Sequence, residues 1–299
     1  MKVYYDRRLL ARALPMLLHS KFGQRRAIPK RGGKTVEYRK FATLGVSKVA
    51  LTEGQPPAGQ QLSVTATVAQ YGDGIKFSDL VRTTTIDPIL EETVDLLAEQ
   101  AAESIDELIR DTLVTGTNVQ YGDGSGTPAN RGAITAAHIF NVAALRRAVL
   151  TLKLNRARTI GGFYQAIIHP RTAHDLQSQS EWVTANVTEQ TGRVFDGSLG
   201  TLYGVKFWVT DKAAWIANVG AGSTVDVYQT LIFGADAFGI IDLDGHNLQT
   251  IFKPLGSAGT ADMLDQQSSM GWKVAFATRI LADEFMLRVE HATSTGANT

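Results

Sequence analysis

The 299-residue chain is 44% apolar and 20% charged, with a formal charge of +1. This is the balance of an ordinary globular protein with a substantial core. It contains no cysteine, which excludes disulfide staples, thiolate zinc sites and a cysteine nucleophile. No apolar run approaches the roughly 18–20 residues that span a bilayer, and the N-terminal apolar stretch is broken by Arg12 and Pro15 without a following cleavage site, so neither a membrane span nor a secretory signal is expected.

The small net charge hides a strong polarity. The first 49 residues carry 13 Lys and Arg against Asp6 and Glu37, a charge of +11, so the rest of the chain sums to −10. A basic arm that leaves its own body can lie on the acidic surface of a neighbouring copy or on nucleic acid. The plainer alternative is a solvated positive segment.

In chain order, residues 5–20 place Leu9, Leu10, Ala13, Leu14, Leu17 and Leu18 at helical spacing, with Pro15 as a kink. The following QRRAIPKRGGKT has no apolar period and reads as an extended arm. Thr35 to Phe41 and Leu62 to Val68 alternate as strands, and the second is expected to continue, after a GDG turn at 72–74, into Ile75–Leu80. LTEGQPPAGQQ between them is an exposed tip. The pair forms a long projecting hairpin, which another chain is expected to cover.

Residues 88–115 predict a long helix. Asp87 is a natural N-cap, Pro88 suits the first helical position and Gly116 the C-terminal stop. Leu90, Val94, Leu97, Ala101, Ile105 and Leu108 form one apolar stripe. Glu91, Glu92, Asp95, Glu99, Glu103, Asp106, Glu107 and Asp111 face only Arg110. A second helix spans 141–153, with Val142, Leu145, Val149 and Leu152 inside and Arg146, Arg147 and Lys153 outside. Strands follow at 163–170, 203–210, 225–234 and 238–243, with a short helix after His169. GWKVAFATRILADEFMLRVEHA reads as a closing strand pair around a turn at 283–284. The order is mixed α+β without a repeat, unlike a doubly wound enzyme.

Candidate chemistry is sparse. His169, His174 and Asp175 are the one local cluster of ligand types, but a metal site needs three or four converging ligands; a strand-end turn entering a helix is the simpler reading. GDGSG (122–126) lacks the GK[ST] ending of a phosphate loop. Ser125 and Ser198 lie between glycines without a GxSxG elbow. No RNP, helix-turn-helix or zinc signature organises base readout. No catalytic, cofactor or metal site is expected.

The succession of basic arm, hairpin with a Gly/Pro tip, long acidic helix, mixed α+β body and closing strands resembles tailed-phage major capsid proteins of the Hong Kong 97-type fold. The blocks LHSKFGQRRAIPKRGGKTVEYRKF (18–41), LTEGQPPAGQQLSVTATVAQYGD (51–73), DELIRDTLVTGTNVQYGDG (106–124), IIHPRTAHDL (167–176), TLIFGADAFGIIDL (230–243) and KPLGSAGTADMLDQQSSMGWK (253–273) are similar to the coat-protein family of N-four-type podophages. The resemblance implies an α+β fold with an N-arm (1–33), an E-loop hairpin (34–80), a peripheral (P) domain (81–159) with its spine helix at 88–115, an axial (A) domain (160–265), and closing strands of the P domain with a C-terminal tail (266–299).

It also implies a non-enzymatic subunit that assembles into hexamers and pentamers of an icosahedral shell around double-stranded DNA, in the host bacterial cytoplasm, and ends in the virion. A separate scaffold protein and a portal are implied partners, since no long scaffolding segment precedes the arm, with a decoration protein as an optional further one. The inter-subunit residues expected are Arg7, Arg8, Arg25, Arg26, Lys30 and Arg31 in the arm, and Thr52, Glu53, Gly54, Gln55, Pro56 and Pro57 at the E-loop tip. The acidic face of the spine, Glu92, Asp95, Glu99, Glu103 and Asp106, is their expected complement. Deleting residues 1–30 is expected to leave a folded monomer that does not assemble. The lysine–asparagine crosslinking of the type phage is not implied, because no motif places its residues here. An encapsulin-like compartment shares the fold, and an α+β metal-dependent hydrolase using His169, His174 and Asp175 is the alternative of a different class.

Overall fold

Helix α1 (Ile89–Val114) runs about 39 Å at 1.5 Å per residue and organises the first core. Val94, Leu97, Ala98, Ala101, Ile105, Ile109 and Leu113 are buried along one side, the 3.6-residue stripe expected of it. The computed structural model describes residue 9 and residues 17–29, 32–41, 61–80, 89–123, 128–182, 200–244, 247–257, 259 and 262–295. The expected cap at Asp87 and Pro88 lies outside them. Gly116 does not end α1 by a left-handed turn. It is a close-packing position, where a Cβ would lie 2.7 Å from Met286 Cε and 2.8 Å from Asp283 Oδ1.

Against α1 lies a five-stranded sheet: β1 (Gln24–Ile28), β4 (Ala69–Ser78), β11 (Phe238–Leu243), β12 (Gln249–Lys253) and β13 (Gln267–Ile280). Met270, Trp272, Val274 and Phe276 alternate from β13 into the α1 core. The β4 strand pairs with β13 without a break from Ala69↔Phe276 to Ser78↔Gln267. The Gly72-Asp73-Gly74 sequence is therefore strand, not the turn its composition suggests. A Cβ on Gly72 would stand 2.6 Å from Trp272 O, and one on Gly271 2.6 Å from Asp73 O, so these glycines permit close backbone approach.

The hairpin is present as β2 (Thr35–Phe41) antiparallel to β3 (Gln61–Thr67), in register from Thr35↔Thr67 to Phe41↔Gln61. Its base packs on its own chain: Tyr38 and Ala66 join Ile28, Ile241 and Ala277 in a small third core.

A seven-stranded sheet carries the second core: β5 (Val119–Tyr121), β6 (Tyr164–Ile168), β7 (Gly200–Leu202), β8 (Val205–Val209), β9 (Trp215–Ile216), β10 (Val227–Phe233) and β14 (Met286–His291). Helices α2 (Val142–Leu154) and α3 (Pro170–Gln177) pack there. Asn141 caps α2 by accepting from Ala144 N–H at 2.8 Å, satisfying one of its orphan donors. The four predicted inner residues of α2 are buried, and Arg146, Arg147 and Lys153 are outside.

Two sequence groupings change. The α2 helix packs with β6, β8 and α3, not with the spine. The closing strands do not pair with each other: β13 belongs to the first sheet and β14 to the second. One edge of β13 is taken by β11 and β12 and the other by β4, so the turn at Asp283–Phe285 sends the chain to the neighbouring sheet.

Candidate assembly surface

The described part of the arm packs within its own subunit. Leu9 is fully buried in the α1 core, and Leu17, Leu18 and Phe22 pack against it. His19 follows in a short 3₁₀ turn; its backbone N–H donates to Asp106 Oδ1 at 2.7 Å, and its Nδ1 lies 2.6 Å from Asp106 Oδ2. The Lys21 ammonium stands 4.2 Å from the Trp208 ring centroid, a cation–π contact. The Phe22 ring meets Trp208 and Phe233.

Asp106 is thus corrected from open acidic face to buried anchor. At 100° per residue it falls within about 40° of Glu92 around the helix, on the same face. Residues 17–22 of the same chain cross the spine at that point and remove the carboxylate from water.

The two described arm arginines also have partners at home. Arg25 and Arg26 lie on β1, which pairs in parallel with β11 from Gln24↔Gly239 to Ile28↔Leu243. This segment is a sheet strand, not a free arm. Arg25 Nη2 reaches Ser20 O and Oγ at 3.4 Å, and its Nη1 is 3.9 Å from Asp242 Oδ2. Burial raises the Asp242 carboxyl above the usual range while Arg25 pulls it down. The Arg26 guanidinium sits 4.7 Å from the Tyr38 ring centroid, and burial pushes the Tyr38 phenol up. Both arginines remain exposed. Arg7, Arg8, Lys30 and Arg31 lie outside the described residues, as do Thr52, Glu53, Gly54, Gln55, Pro56 and Pro57 at the hairpin tip.

On the spine, Glu92 is exposed and Asp95 and Glu99 are half-buried. Glu103 pairs with Lys212 at 3.1 Å, and Arg110 sits 3.7 Å from Glu107 and 2.8 Å from Asp111. The acidic row is therefore partly neutralised within the subunit. Exposed pairs of this kind contribute about 0–1 kcal/mol each.

The alternative enzyme cluster does not converge. His169 caps α3, with Nδ1 accepting from Arg171 N–H at 3.2 Å, and burial, then Arg171, lower its pKa. His174 is exposed. Asp175 is buried and accepts from the Ser294 N–H at 2.9 Å and from the Ser294 hydroxyl, tying down the chain after β14. No group of three or more His, Asp or Glu fit to hold a metal occurs among the described residues. His169 thus holds a helix end, and Asp175 holds the chain that follows β14.

Sequence reading missed β1, the home partners of the arginines, and the apolar part of the outer face of α2. Leu150 and Leu154 are 56% and 73% exposed beside Arg146, Arg147 and Lys153. Their position off the inner stripe was the available signal.

Comparison with known proteins agrees with the architecture. A family model described as phage capsid protein matches residues 61–286. The capsid of Ralstonia phage GP4 superposes with a TM-score of 0.69 at 14% identity, covering 91% of this chain and 87% of that one. The capsid protein of cyanophage Pam1 gives 0.71 at 16%, covering 89% and 87%. A virus-like particle from Pyrococcus furiosus gives 0.55 at 11%, covering 96% and 98%. No curated protein matches the sequence. The chain belongs to the phage capsid protein family and is a major capsid protein with the Hong Kong 97-type fold.

Proposed function

We propose that this capsid subunit forms hexamers and pentamers of an icosahedral shell around double-stranded DNA, and that it does so without catalysis. The observation that carries the reading is the family match across 61–286. In this reading the chain before β1 is the N-arm, the β2–β3 hairpin the E-loop, α1 and the five-stranded sheet the P domain, and α2 with the seven-stranded sheet the A domain. Arg7, Arg8, Lys30 and Arg31, with the exposed Arg25 and Arg26, meet neighbouring copies, as does the tip from Thr52 to Pro57. Assembly takes place in the bacterial cytoplasm with a separate scaffold and a portal, and a decoration protein is a further partner. DNA is met through general electrostatics without base readout.

Particles purified from infected cells test this. DNA that resists added nuclease until the shell is opened supports it. Particles that hold an enzyme and no DNA support instead the encapsulin-like compartment reading.

A further inference from the structure

We propose that the outer face of α2 docks on the α1 spine of a neighbouring copy through two matching triads, Arg146, Leu150 and Lys153 on one helix and Glu92, Leu96 and Glu99 on the other. The inference rests on the shell reading and adds a specific contact to it.

The α2 side is an outward face that is both apolar and basic. Its inner residues Val142, Leu145, Val149 and Leu152 are buried in the second core, yet Leu150 and Leu154 point outward and are more than half exposed. Tyr203, 48% exposed, stands beside them. The residues Ala143, Arg146, Arg147, Leu150, Lys153 and Tyr203 line one open groove. The helix contains no acidic residue. The Arg146 guanidinium lies 5.7 Å from the Tyr203 ring centroid, which holds one cation at the rim.

The α1 side has the complementary pattern. Leu96 is 61% exposed, with Glu92 and Glu99 one turn to either side. In both helices the outer residues lie four and three positions from the leucine, so each triad occupies one face and spans about 10 Å. Laid together in either direction, leucine meets leucine and each cation meets a carboxylate. Burying the two leucines removes apolar surface from water, and desolvation by those leucines strengthens the flanking pairs relative to open ones. Within one subunit, α1 and α2 belong to different cores. A second copy is the occupant because this chain itself carries the matching acidic–apolar stripe. A nucleic-acid backbone would match the cations but leave the leucines uncovered.

The absence of cysteine gives a clean test. Leu96→Cys and Leu150→Cys variants are assembled together and oxidised with copper–phenanthroline. The expected result is a disulfide-linked dimer in the mixed particles that neither variant gives alone. In a second arm, Arg146→Glu with Lys153→Glu lowers particle yield about tenfold, equivalent to about 1.4 kcal/mol, and adding Glu92→Lys with Glu99→Lys to the same chain restores it. Thermal melts of the subunits identify any variant that fails to fold, in which case the crosslink decides. Particles that form normally without the crosslink overturn the contact while leaving the shell reading intact. Loss of DNA binding in the Arg146 and Lys153 variant, with assembly unchanged, overturns it in favour of a nucleic-acid face.

Discussion

His19 and Asp106, 87 positions apart in sequence, are joined by two hydrogen bonds in a buried site, one from the His19 backbone N–H and one through its ring Nδ1. The pair fixes the root of the basic arm to the acidic spine of the same subunit. Arm and spine thus meet first within one chain, and through a histidine rather than an arginine.

Asp106→Ala leaves the buried His19 N–H and ring without an acceptor. Loss of about 2–4 kcal/mol of subunit stability is expected, together with faster protease cleavage near residue 19. Asp106→Asn keeps one acceptor and is expected to cost less. Urea denaturation reads both, and an unchanged midpoint for the alanine variant contradicts the anchoring role.

The same placement reverses an expectation about truncation. Deleting residues 1–30 removes the buried Leu9, the His19 anchor and the β1 strand. The truncated chain is expected to aggregate, or to melt well below the full-length subunit, instead of giving a sound monomer that fails to assemble. Circular dichroism and size-exclusion chromatography decide it; a soluble monomer with an unchanged melt counts against the packing described.

The sequence made α1, α2 and the hairpin strands legible by their periods, and β6 and β10 as mostly apolar runs between turn residues, whereas the short β5, β7 and β9 of the same sheet carry too few residues to show a pattern. What stayed hidden depends on partners distant in sequence. Gly72-Asp73-Gly74 has turn chemistry, and the backbone of β13 opposite it decides for strand. Gln24–Ile28 has almost no alternation, with only Ile28 buried, and becomes a strand by pairing with β11. Asp106 lies on the predicted helix face, but no helical wheel shows that residues 17–22 will cover it. The outer arm and the hairpin tip were legible as polar and basic, which is too little to fix what they touch.

Gly271→Val should be among the more damaging changes in the first sheet. Its new Cβ would stand 2.6 Å from Asp73 O, so β4 and β13 must separate. About 1–3 kcal/mol of destabilisation is expected, with loss of amide-exchange protection along both strands. Protection equal to that of the parent in β4 contradicts the close approach.

His291 sets an acid sensitivity. It is buried, with Nδ1–H donating to Ala292 O at 2.8 Å and Nε2 accepting from the Thr230 hydroxyl at 3.0 Å. Burial lowers its pKa to about 4, against the smaller raising effects of the Ala292 carbonyl, Asp175 and Glu290. The unfolded chain, near its ordinary value of about 6.5, binds the proton first. Stability from this group is therefore full above about 6.5 and is lost as pH falls toward 4, by about 3 kcal/mol in all. His291→Gln is expected to flatten that part of the pH profile in denaturant titrations; an equally steep profile in the variant assigns the effect to other groups.

Self-assembly is the central claim, and electron microscopy of the purified full-length protein, concentrated at moderate salt, tests it most directly. Closed hollow particles or six-fold and five-fold capsomers are predicted, with particle diameters that vary because no scaffold sets the size. A protein that stays a monodisperse monomer at every concentration and salt tried would contradict it.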